Sequence, residues 1–413
     1  MREMKDSGIE WVGTIPTHWS TMPNKYVMRK IKVINPTYNG ENILSLTVNG
    51  VIVRDLEAGG KMPSSFDGYQ ILYKGNLLMC LFDYDVTPRC IGLIKDSGIS
   101  SPAYSQFVLQ RGNDAAYFYY YYLMVDHTKA LLHRAKNLRH SFTEEQLGAI
   151  KVPVPPIAEQ KRIANYLDSK CSEIDAITAD IQKEIETLEQ YKRSVITEAV
   201  TKGLNPDAEM KDSGVPWIGK MPANWTCIKG KYILKYMQKP VKPDDGVITC
   251  FRDGEVTLRS NRREDGFTMA DKEIGYQGID VGDLVVHGMD GFAGAIGISD
   301  SRGKASPVLN VLDSRQNKKY IMYYLRSMAY GDVFAALATG IRVRSCDLRW
   351  NKLSELLYPV PPLEEQAEIV KYIEDTLNKA NVIINEKKQQ LDVLDSYKKS
   401  LIYEYVTGKK EAI

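Results

Sequence analysis

PVPPIAEQKRIANYLDSKCSEIDAITADIQKEIETLEQYKRSVITEAVTKG, residues 153–203, is the stretch that decides the fold. Pro155 and Pro156 prevent a helix from starting before them, and Pro156 suits a first helical turn. Glu159 follows where a negative charge stabilises the positive end of a helix. Because no Gly or Pro interrupts the chain before Gly203, one helix of about 45 residues is predicted, roughly 65 Å long at 1.5 Å per residue.

A seven-residue apolar repeat runs along this predicted helix. Its members are Leu167, Ile174, Ile181, Leu188 and Val195. The offset positions of the same stripe are predicted to be Ile163, Ile177 and Tyr191. A seam of this period indicates a helix that pairs with another helix.

The partner helix is predicted in the same chain, because the sequence repeats itself. Residues 359–375 read PVPPLEEQAEIVKYIED, and KDSGIEWVGTIPTHW at 5–19 returns as KDSGVPWIGKMPANW at 211–225. The repeat indicates two tandem copies, each a globular module followed by a long helix. Ala380 and Lys387 replace Ile174 and Ile181 in the second copy, so a more polar middle of the seam is expected.

Each module is predicted to mix short strands with one helix. Strands are expected at residues 42–48, 51–53, 73–82 and 90–94 in the first copy, and at 246–251, 281–289 and 295–299 in the second. The segments 100–109 and 305–312 follow them. Helices are expected at Tyr117–Leu132 and Tyr320–Leu337. The two Trp of each WxGxxPxxW segment are predicted to anchor the core. Tyr117, Tyr121 and Tyr122 could stack on bases, but helix packing is the preferred interpretation.

The predicted fold class is α+β with a pseudo-twofold internal repeat. Two mixed α/β modules, residues 1–152 and 205–358, are separated by a central helix at 153–204 and a C-terminal helix at 359–413. The two helices are expected to pair as an antiparallel coiled coil.

Composition favours a globular protein of the cytoplasm. The 413 residues show neither an apolar signal-peptide core nor a run of membrane-spanning length. The six Cys form no CxxC pair and the five His form no HxxxH pair, so no structural zinc or disulfide framework is expected. Residues 156–203 and 362–413 together carry a charge of −4, which leaves +6 for the rest. That asymmetry fits a polyanion as partner, although an ordinary soluble surface is the simpler explanation of charge alone.

A search for catalytic motifs yields no candidate active site. Asn35-Pro36-Thr37-Tyr38 approaches the Asn-Pro-Pro-Tyr signature of amino-methyltransferases, but it has Thr in place of Pro and no upstream Gly-rich loop. Gly291, Gly294 and Gly297 have the wrong spacing for a dinucleotide fingerprint. A surface turn and a strand–loop–strand turn are the simpler interpretations of these two segments.

Basic and polar residues cluster where the two copies differ, and they are the candidate DNA contacts. Arg and Asn can make paired hydrogen bonds to guanine and adenine edges, and Lys suits phosphates. In the first copy the candidates are Arg54, Arg89, Lys136, Asn137, Arg139 and His140. In the second they are Arg252, Arg259, Asn261, Arg262, Arg302, Lys304, Arg342 and Arg344. The groups at 136–141 and 340–345 are preferred, because both copies place one shortly before the long helix.

The repeated SGxxWxGxxPxxW openings and the two PVPPxxEQxxI helix entries resemble the specificity subunit of type I restriction-modification systems. The resemblance covers the whole chain. It implies a non-catalytic, DNA-binding subunit in which each module is a target-recognition domain for one half of an asymmetric bipartite site. It also implies that the helices set the spacing and bind two methyltransferase subunits, with restriction/translocase subunits joining the complex. S-adenosylmethionine, ATP and Mg would then be bound by those partners, and this chain would bind no cofactor and no membrane.

Two other hypotheses remain open at the level of sequence. One is a DNA adenine methyltransferase with an atypical motif order, which methyl transfer by the chain alone would favour. The other is a purely structural coiled-coil protein, which failure to bind DNA even with partner subunits would favour. The lack of a methyl-donor loop speaks against the first, and the large modules speak against the second.

Overall fold

The computed structural model describes residues 2–57, 63–135, 140–262, 273–336 and 348–412. The chain divides into two compact units. Unit 1 comprises Met1–Ile181 and Lys388–Ile413, and unit 2 comprises Gln182–Lys387. Ile181 and Lys387 are one repeat length apart, so each unit contains one module and part of each long helix.

The first copy of the repeat folds into short strands, two helices and one long helix. The strands are β1 Met4–Asp6, β2 Thr14–Pro16, β3 Ser20–Pro23, β4 Met28–Ile31, β5 Leu44–Thr47, β6 Gly50–Val53, β7 Gln70–Leu72, β8 Leu77–Met79, β9 Ile91–Leu93, β10 Gly98–Ser100, β11 Ser105–Leu109 and β12 Lys151–Val154. The helices are α1 Ala115–His127, α2 Glu144–Ala149 and α3 Ile157–Lys202.

The second copy has the same order of strands. They are β13 Met210–Asp212, β14 Lys220–Pro222, β15 Thr226–Lys229, β16 Leu234–Met237, β17 Ile248–Cys250, β18 Val256–Leu258, β19 Gln277–Ile279, β20 Leu284–His287, β21 Ile296–Ile298, β22 Gly303–Ala305, β23 Leu309–Ser314 and β24 Leu357–Val360. Its helices are α4 Gly230–Ile233, α5 Lys318–Tyr330, α6 Val333–Ala336, α7 Trp350–Leu353 and α8 Leu363–Val406.

Each module is built on a four-stranded antiparallel sheet. The strand order is β4-β11-β8-β9 in the first module and β16-β23-β20-β21 in the second. Two-stranded pairs surround each sheet, among them the hairpins β5–β6 and β17–β18. The predicted α+β class is therefore confirmed.

The predicted aromatic helices form, but both end earlier than expected. α1 stops at His127, and Lys129 then takes a φ of 47°. α5 stops at Tyr330, before Gly331 and Asp332, where φ is 56°. A positive φ cannot continue a right-handed helix.

The PVPP segment contributes a strand before it opens each long helix. Lys151–Val154 pairs with Ser20–Pro23, and Leu357–Val360 pairs with Thr226–Lys229. The helix begins at Ile157, directly after Pro155 and Pro156, as expected from the prolines, and the first residues of the 153–204 segment form a strand instead.

The Glu-Gln pair at each helix start ties the helix to its module. Glu159 accepts hydrogen bonds from Trp19 Nε1 at 3.0 Å and His18 Nε2 at 2.9 Å. Gln160 accepts from the backbone N–H of Asp114 at 2.8 Å, immediately before α1. In unit 2, Glu365 accepts from Trp225 Nε1 at 3.0 Å, and Gln366 accepts from the Asn317 N–H at 2.9 Å. These hydrogen bonds to the module explain why the Glu-Gln pair recurs at the start of both long helices.

The long helices run antiparallel. In unit 1, Tyr166 of α3 stacks on Tyr405 of α8 with ring centroids 4.4 Å apart. Farther along, Asp175 of α3 pairs with Lys398 of α8, so residue numbers rise on one helix as they fall on the other. In unit 2, Glu184 pairs with Lys387, the polar residue expected in the middle of the seam.

The predicted seam is buried only in part. On the heptad side Leu167, Ile174 and Val195 are buried and Ile181 and Leu188 are half-buried, and on the offset side Ile163 is buried. Ile177 and Tyr191, in contrast, are each 49% exposed. The offset side on which they were predicted also carries Lys170 and Glu184, which disfavour burial, and the helix instead turns Cys171 inward.

Aromatic residues that recur in the two repeats lie in the module cores. Trp19, Tyr117 and Tyr121 are fully buried in the core of unit 1. Trp225 and Tyr320 are buried in that of unit 2. Trp11 and Trp217, the first Trp of each WxGxxPxxW segment, are only partly buried against these cores, so the prediction of core anchors holds fully for Trp19 and Trp225. The interpretation of the tyrosines as helix packing is confirmed.

Candidate nucleic-acid interface

The hairpin β5–β6 is mounted on strand β9 of the first module. A Cβ at Gly92 would lie 2.6 Å from Val51 Cγ2, so only glycine permits this close approach. Arg89 donates from Nε to the Ile91 carbonyl at 3.1 Å and from a terminal nitrogen to the Val48 carbonyl at 2.8 Å. Its remaining terminal nitrogen donates to the Tyr119 hydroxyl. These contacts fix the hairpin turn to the strand beside it.

The second module mounts its hairpin β17–β18 in the same way. A Cβ at Gly297 would lie 2.0 Å from the Gly254 carbonyl oxygen. Arg326 donates to the Ile296 carbonyl at 2.7 Å and to the Gly254 carbonyl at 2.8 Å. Arg89 precedes a strand whereas Arg326 lies on α5, so the two guanidiniums reach equivalent carbonyls from different elements.

The structure gathers four predicted DNA contacts of the second copy around hairpin β17–β18. The Arg252 side chain is 62% exposed and pairs with Asp290 at 2.8 Å. Arg262 lies 4.1 Å over the Phe251 ring and pairs with Asp253 at 2.7 Å. The other two, Arg259 and Asn261, donate to Thr249 and Thr257 of the hairpin strands at 3.0 and 2.9 Å.

Arg302 and Lys304 pair instead with acidic residues. Arg302 donates to both carboxylate oxygens of Asp245, at 3.0 and 2.7 Å, and to Asp280 at 2.6 Å. Lys239 joins from the other side and donates to Asp280 at 2.8 Å. The hydrogen bonds from Lys239 and Arg302 lower the pKa of Asp280 to about 2.

Arg302 and Lys304, the two cations predicted to bind DNA here, are both paired with acidic side chains. Lys304 forms a separate ion pair with Glu273 at 2.7 Å. Arg302 therefore links the segments that contain Asp245 and Asp280, and Lys304 is paired with Glu273. Their role as DNA contacts stays a prediction.

The remaining predicted residues are partly described. Arg54 directly follows β6, and its backbone N–H donates to the Ile43 carbonyl at 2.7 Å. His140 Nδ1 lies 3.0 Å from Asp85. Lys136, Asn137, Arg139, Arg342 and Arg344 lie outside the described residues, so the two preferred clusters are not placed.

The segments with a remote resemblance to catalytic motifs are structural turns. Asn35 is buried, and its amide donates to Glu41 at 3.0 Å. Gly294 has a φ of 96° in the turn before strand β21. Among the described residues, no group of three or more His, Cys, Asp or Glu is placed to hold a metal ion. In the same part of the chain, every helix is too short or too polar to cross a membrane.

Known proteins share both sequence and fold with this chain. The family model described as type I restriction modification DNA specificity domain matches residues 80–187. The MjaX type I restriction enzyme specificity subunit of Methanocaldococcus jannaschii is 25% identical over 298 residues, which cover 68% of this chain and 64% of that protein. The MjaVIII type I restriction enzyme specificity subunit of the same organism is 26% identical over 277 residues, 63% of this chain and 62% of that protein. The chain thus spans less than two thirds of the length of these curated relatives.

A solved structure extends the likeness to almost the whole chain. Its description is the structural basis underlying complex assembly and conformational transition of the type I R-M system. It superimposes with a TM-score of 0.68 at 14% identity and covers 96% of this chain and 99% of that one. This likeness shows a shared fold.

Residues 80–187, which extend from the first module into α3, are therefore similar in sequence to the type I restriction modification DNA specificity domain. The resemblance to type I specificity subunits expected from the sequence is confirmed.

Proposed function

We propose that the chain is the DNA-reading subunit of a type I restriction-modification complex and has no active site of its own. The observation that carries the proposal is the duplicated architecture, a DNA specificity domain joined to a long helix in a chain that repeats both parts. Each module reads one half of a bipartite site. Because the modules differ where their basic residues cluster, the two half-sites differ in sequence.

The long helices are the spacer between the half-sites and the seat of the methyltransferase subunits. The exposed apolar residues of α3 and α8 support this role of the helices. The repeat places one exposed Ile and one exposed Tyr in each unit. Ile177 and Tyr397 belong to unit 1, and Tyr191 and Ile383 belong to unit 2. They are 49%, 55%, 49% and 42% exposed. Two equivalent apolar pairs on one chain suit two copies of one partner.

The chemistry belongs to the partners in this proposal. Methyltransferase subunits bind S-adenosylmethionine and modify the site, and restriction/translocase subunits use ATP and Mg. The competing hypothesis of an atypical methyltransferase is disfavoured, because Asn35 of the Asn-Pro-Thr-Tyr segment that suggested it is buried and donates to Glu41.

Methylation mapping tests the proposal directly. The chain is expressed with its methyltransferase subunit in cells free of other adenine methylation, and modified bases are mapped by single-molecule sequencing. The expected result is one bipartite motif with two different half-sites, which disappears when this chain is omitted. Methyl transfer by the purified chain alone, or methylation that does not depend on the chain, would contradict the proposal.

A further inference from the structure

We propose that the hairpins β5–β6 and β17–β18 determine which bases each module reads. This inference rests on the proposed function and assigns to the two hairpins different chemistries. The first hairpin would recognise thymine methyl groups by apolar contact. The second would recognise purine edges by hydrogen bonds from Arg and Asn.

The two hairpins are attached to the neighbouring strand in the same way, but they expose different residues. Gly92 and Gly297 admit the hairpin backbone against the neighbouring strand. Arg89 and Arg326 bind the carbonyls of Val48 and Gly254 in the two hairpin turns. A rigid support at the same place in both modules fixes the position of the hairpin, so the residues it presents can vary without moving it.

The hairpin of the first module presents large apolar side chains to solvent. Val48 is 62% exposed and Ile52 is 42% exposed, and Val53, which pairs with Leu44 at the end of the inner face, is still 45% exposed. On the inner side, Leu44 is buried and packs with Leu72 and Leu78. Exposed apolar side chains on a short two-stranded ribbon indicate a surface that contacts another apolar group.

Duplex DNA is the occupant that fits this ribbon. The major groove admits a two-stranded β-ribbon, and the thymine methyl is its apolar group. The matched residues 80–187 follow the hairpin in the same module, and they include strand β9, against which the hairpin packs. The residues outside the long helices also carry the positive share of the net charge.

The hairpin of the second module presents the opposite chemistry. Arg252 lies in its turn, and Arg259, Asn261 and Arg262 directly follow its second strand. The ion pairs of Arg252 with Asp290 and of Arg262 with Asp253 are solvent-exposed, and such pairs contribute little to stability. These side chains can therefore exchange an acidic partner for a base edge at small cost. Arg fits the O6 and N7 atoms of guanine, and Asn fits adenine.

The first experiment removes thymine methyl groups from the DNA. The complex with its methyltransferase subunits binds a duplex that carries the mapped site, and each thymine of the first half-site is replaced in turn by deoxyuridine. At least one replacement is expected to weaken binding about fourfold, the value of one methyl-sized apolar contact. In the I52S/V53S variant the same replacement is expected to have no effect, because the contact is already lost.

A matched variant and the second half-site serve as controls. Val33 is also 42% exposed but lies outside the hairpin, so V33S is expected to keep the full penalty for deoxyuridine. Deoxyuridine in the second half-site should have the same effect on binding in wild type and in I52S/V53S, because the substitutions lie in the hairpin of the first module. A first half-site without thymine on either strand, the lack of any deoxyuridine penalty, or a penalty that persists in I52S/V53S would each overturn the inference.

The second experiment tests the other hairpin in cells. The R252A variant is expected to relax the methylated motif at one position of the second half-site and to leave the first unchanged. A motif unchanged in the second half-site would overturn the assignment of this hairpin. A wild-type chain that produces no bipartite motif would instead refute the proposed function, so the two failures are distinct.

Discussion

Single side chains decide how the basic residues of this protein are used. Arg302 was predicted as a DNA contact, yet Asp245, 57 positions earlier in the chain, accepts two of its hydrogen bonds. Arg326, which was not predicted at all, holds a hairpin turn. The sequence reveals where cations cluster, but the partner of each cation depends on tertiary contacts. The repeat could not reveal Arg326 either, because the matching guanidinium of the first module comes from another element.

The Asp280 carboxylate should make the stability of unit 2 depend on pH in acid. Lys239 and Arg302 lower its folded pKa to about 2, whereas an Asp in an unfolded chain has a pKa of about 3.9. The stabilisation is therefore complete above about pH 4 and is lost as the pH falls toward about 2. The difference in Tm between wild type and D280N should shrink over this range in thermal unfolding followed by circular dichroism.

The comparison with D280N removes the contribution of titrating groups that do not contact Lys239 or Arg302, because both proteins share them. A Tm difference that stays constant between pH 5 and pH 2 would contradict the assignment.

Gly408 is a position where any side chain should destabilise unit 1. Its φ is +71°, and a Cβ there would lie 2.5 Å from Pro16 Cδ and 2.9 Å from the Trp19 ring. We expect G408A to lower the free energy of unfolding by about 2 kcal/mol or more, from backbone strain together with the clash. Chemical denaturation measures the loss.

Gly112 provides the matched control. It also has a positive φ, +87°, but nothing lies within 4 Å of where its Cβ would be. G112A should therefore lose only the part that comes from backbone strain, about 1 kcal/mol. If G408A and G112A lower the free energy of unfolding equally, the clash with Pro16 and Trp19 contributes nothing.

At the scale of elements, the positions of the long helices and the repeat could be predicted from the sequence. Which face of each helix is buried could not. The prolines and the gap of 206 residues between repeats are local signals, so they located both long helices to within a few residues. Ile177 and Tyr191 failed as seam residues, because heptad spacing alone fits more than one face of a helix. The tie between Glu159 and Trp19 was also invisible, since it joins residues 140 positions apart.

Removal of one heptad from both long helices should shorten the DNA spacer. Deletion of residues 181–187 and 384–390 takes out segments that face each other, as the pairing of Glu184 with Lys387 indicates. Seven residues at 1.5 Å correspond to about 10 Å, or roughly three base pairs. Methylation mapping should find the two half-sites closer by this amount.

A deletion in α3 alone is the control for this experiment. It leaves α8 with seven unpaired residues and should lower Tm without producing a new, shorter motif. An unchanged half-site spacing in the folded double deletion would refute the role of the helices as spacer.

For the whole molecule, the repeated apolar pairs predict the stoichiometry of the complex. I177S/Y397S alters the pair of unit 1 and Y191S/I383S that of unit 2. If each pair seats one methyltransferase subunit, either variant should bind one subunit instead of two, because the other pair is intact. Size-exclusion chromatography with light scattering measures the ratio.

Ile274 gives the control for lost apolar surface. It is 78% exposed in the second module and lies outside both long helices, so I274S should still bind two subunits. If both double variants still bind two methyltransferase subunits, the apolar pairs are not the binding sites.

The division of the chain at Ile181 and Lys387 also has a consequence for synthesis on the ribosome. Unit 2 is contiguous in sequence, whereas unit 1 includes residues from 388 onward. The hydroxyl of Tyr117 in the first core donates to the Val406 carbonyl, 289 residues later. Domains usually complete their folding in the order in which they emerge. Here the first module to be translated is the last to be completed, and its uncovered core residues must wait while the whole of unit 2 is made.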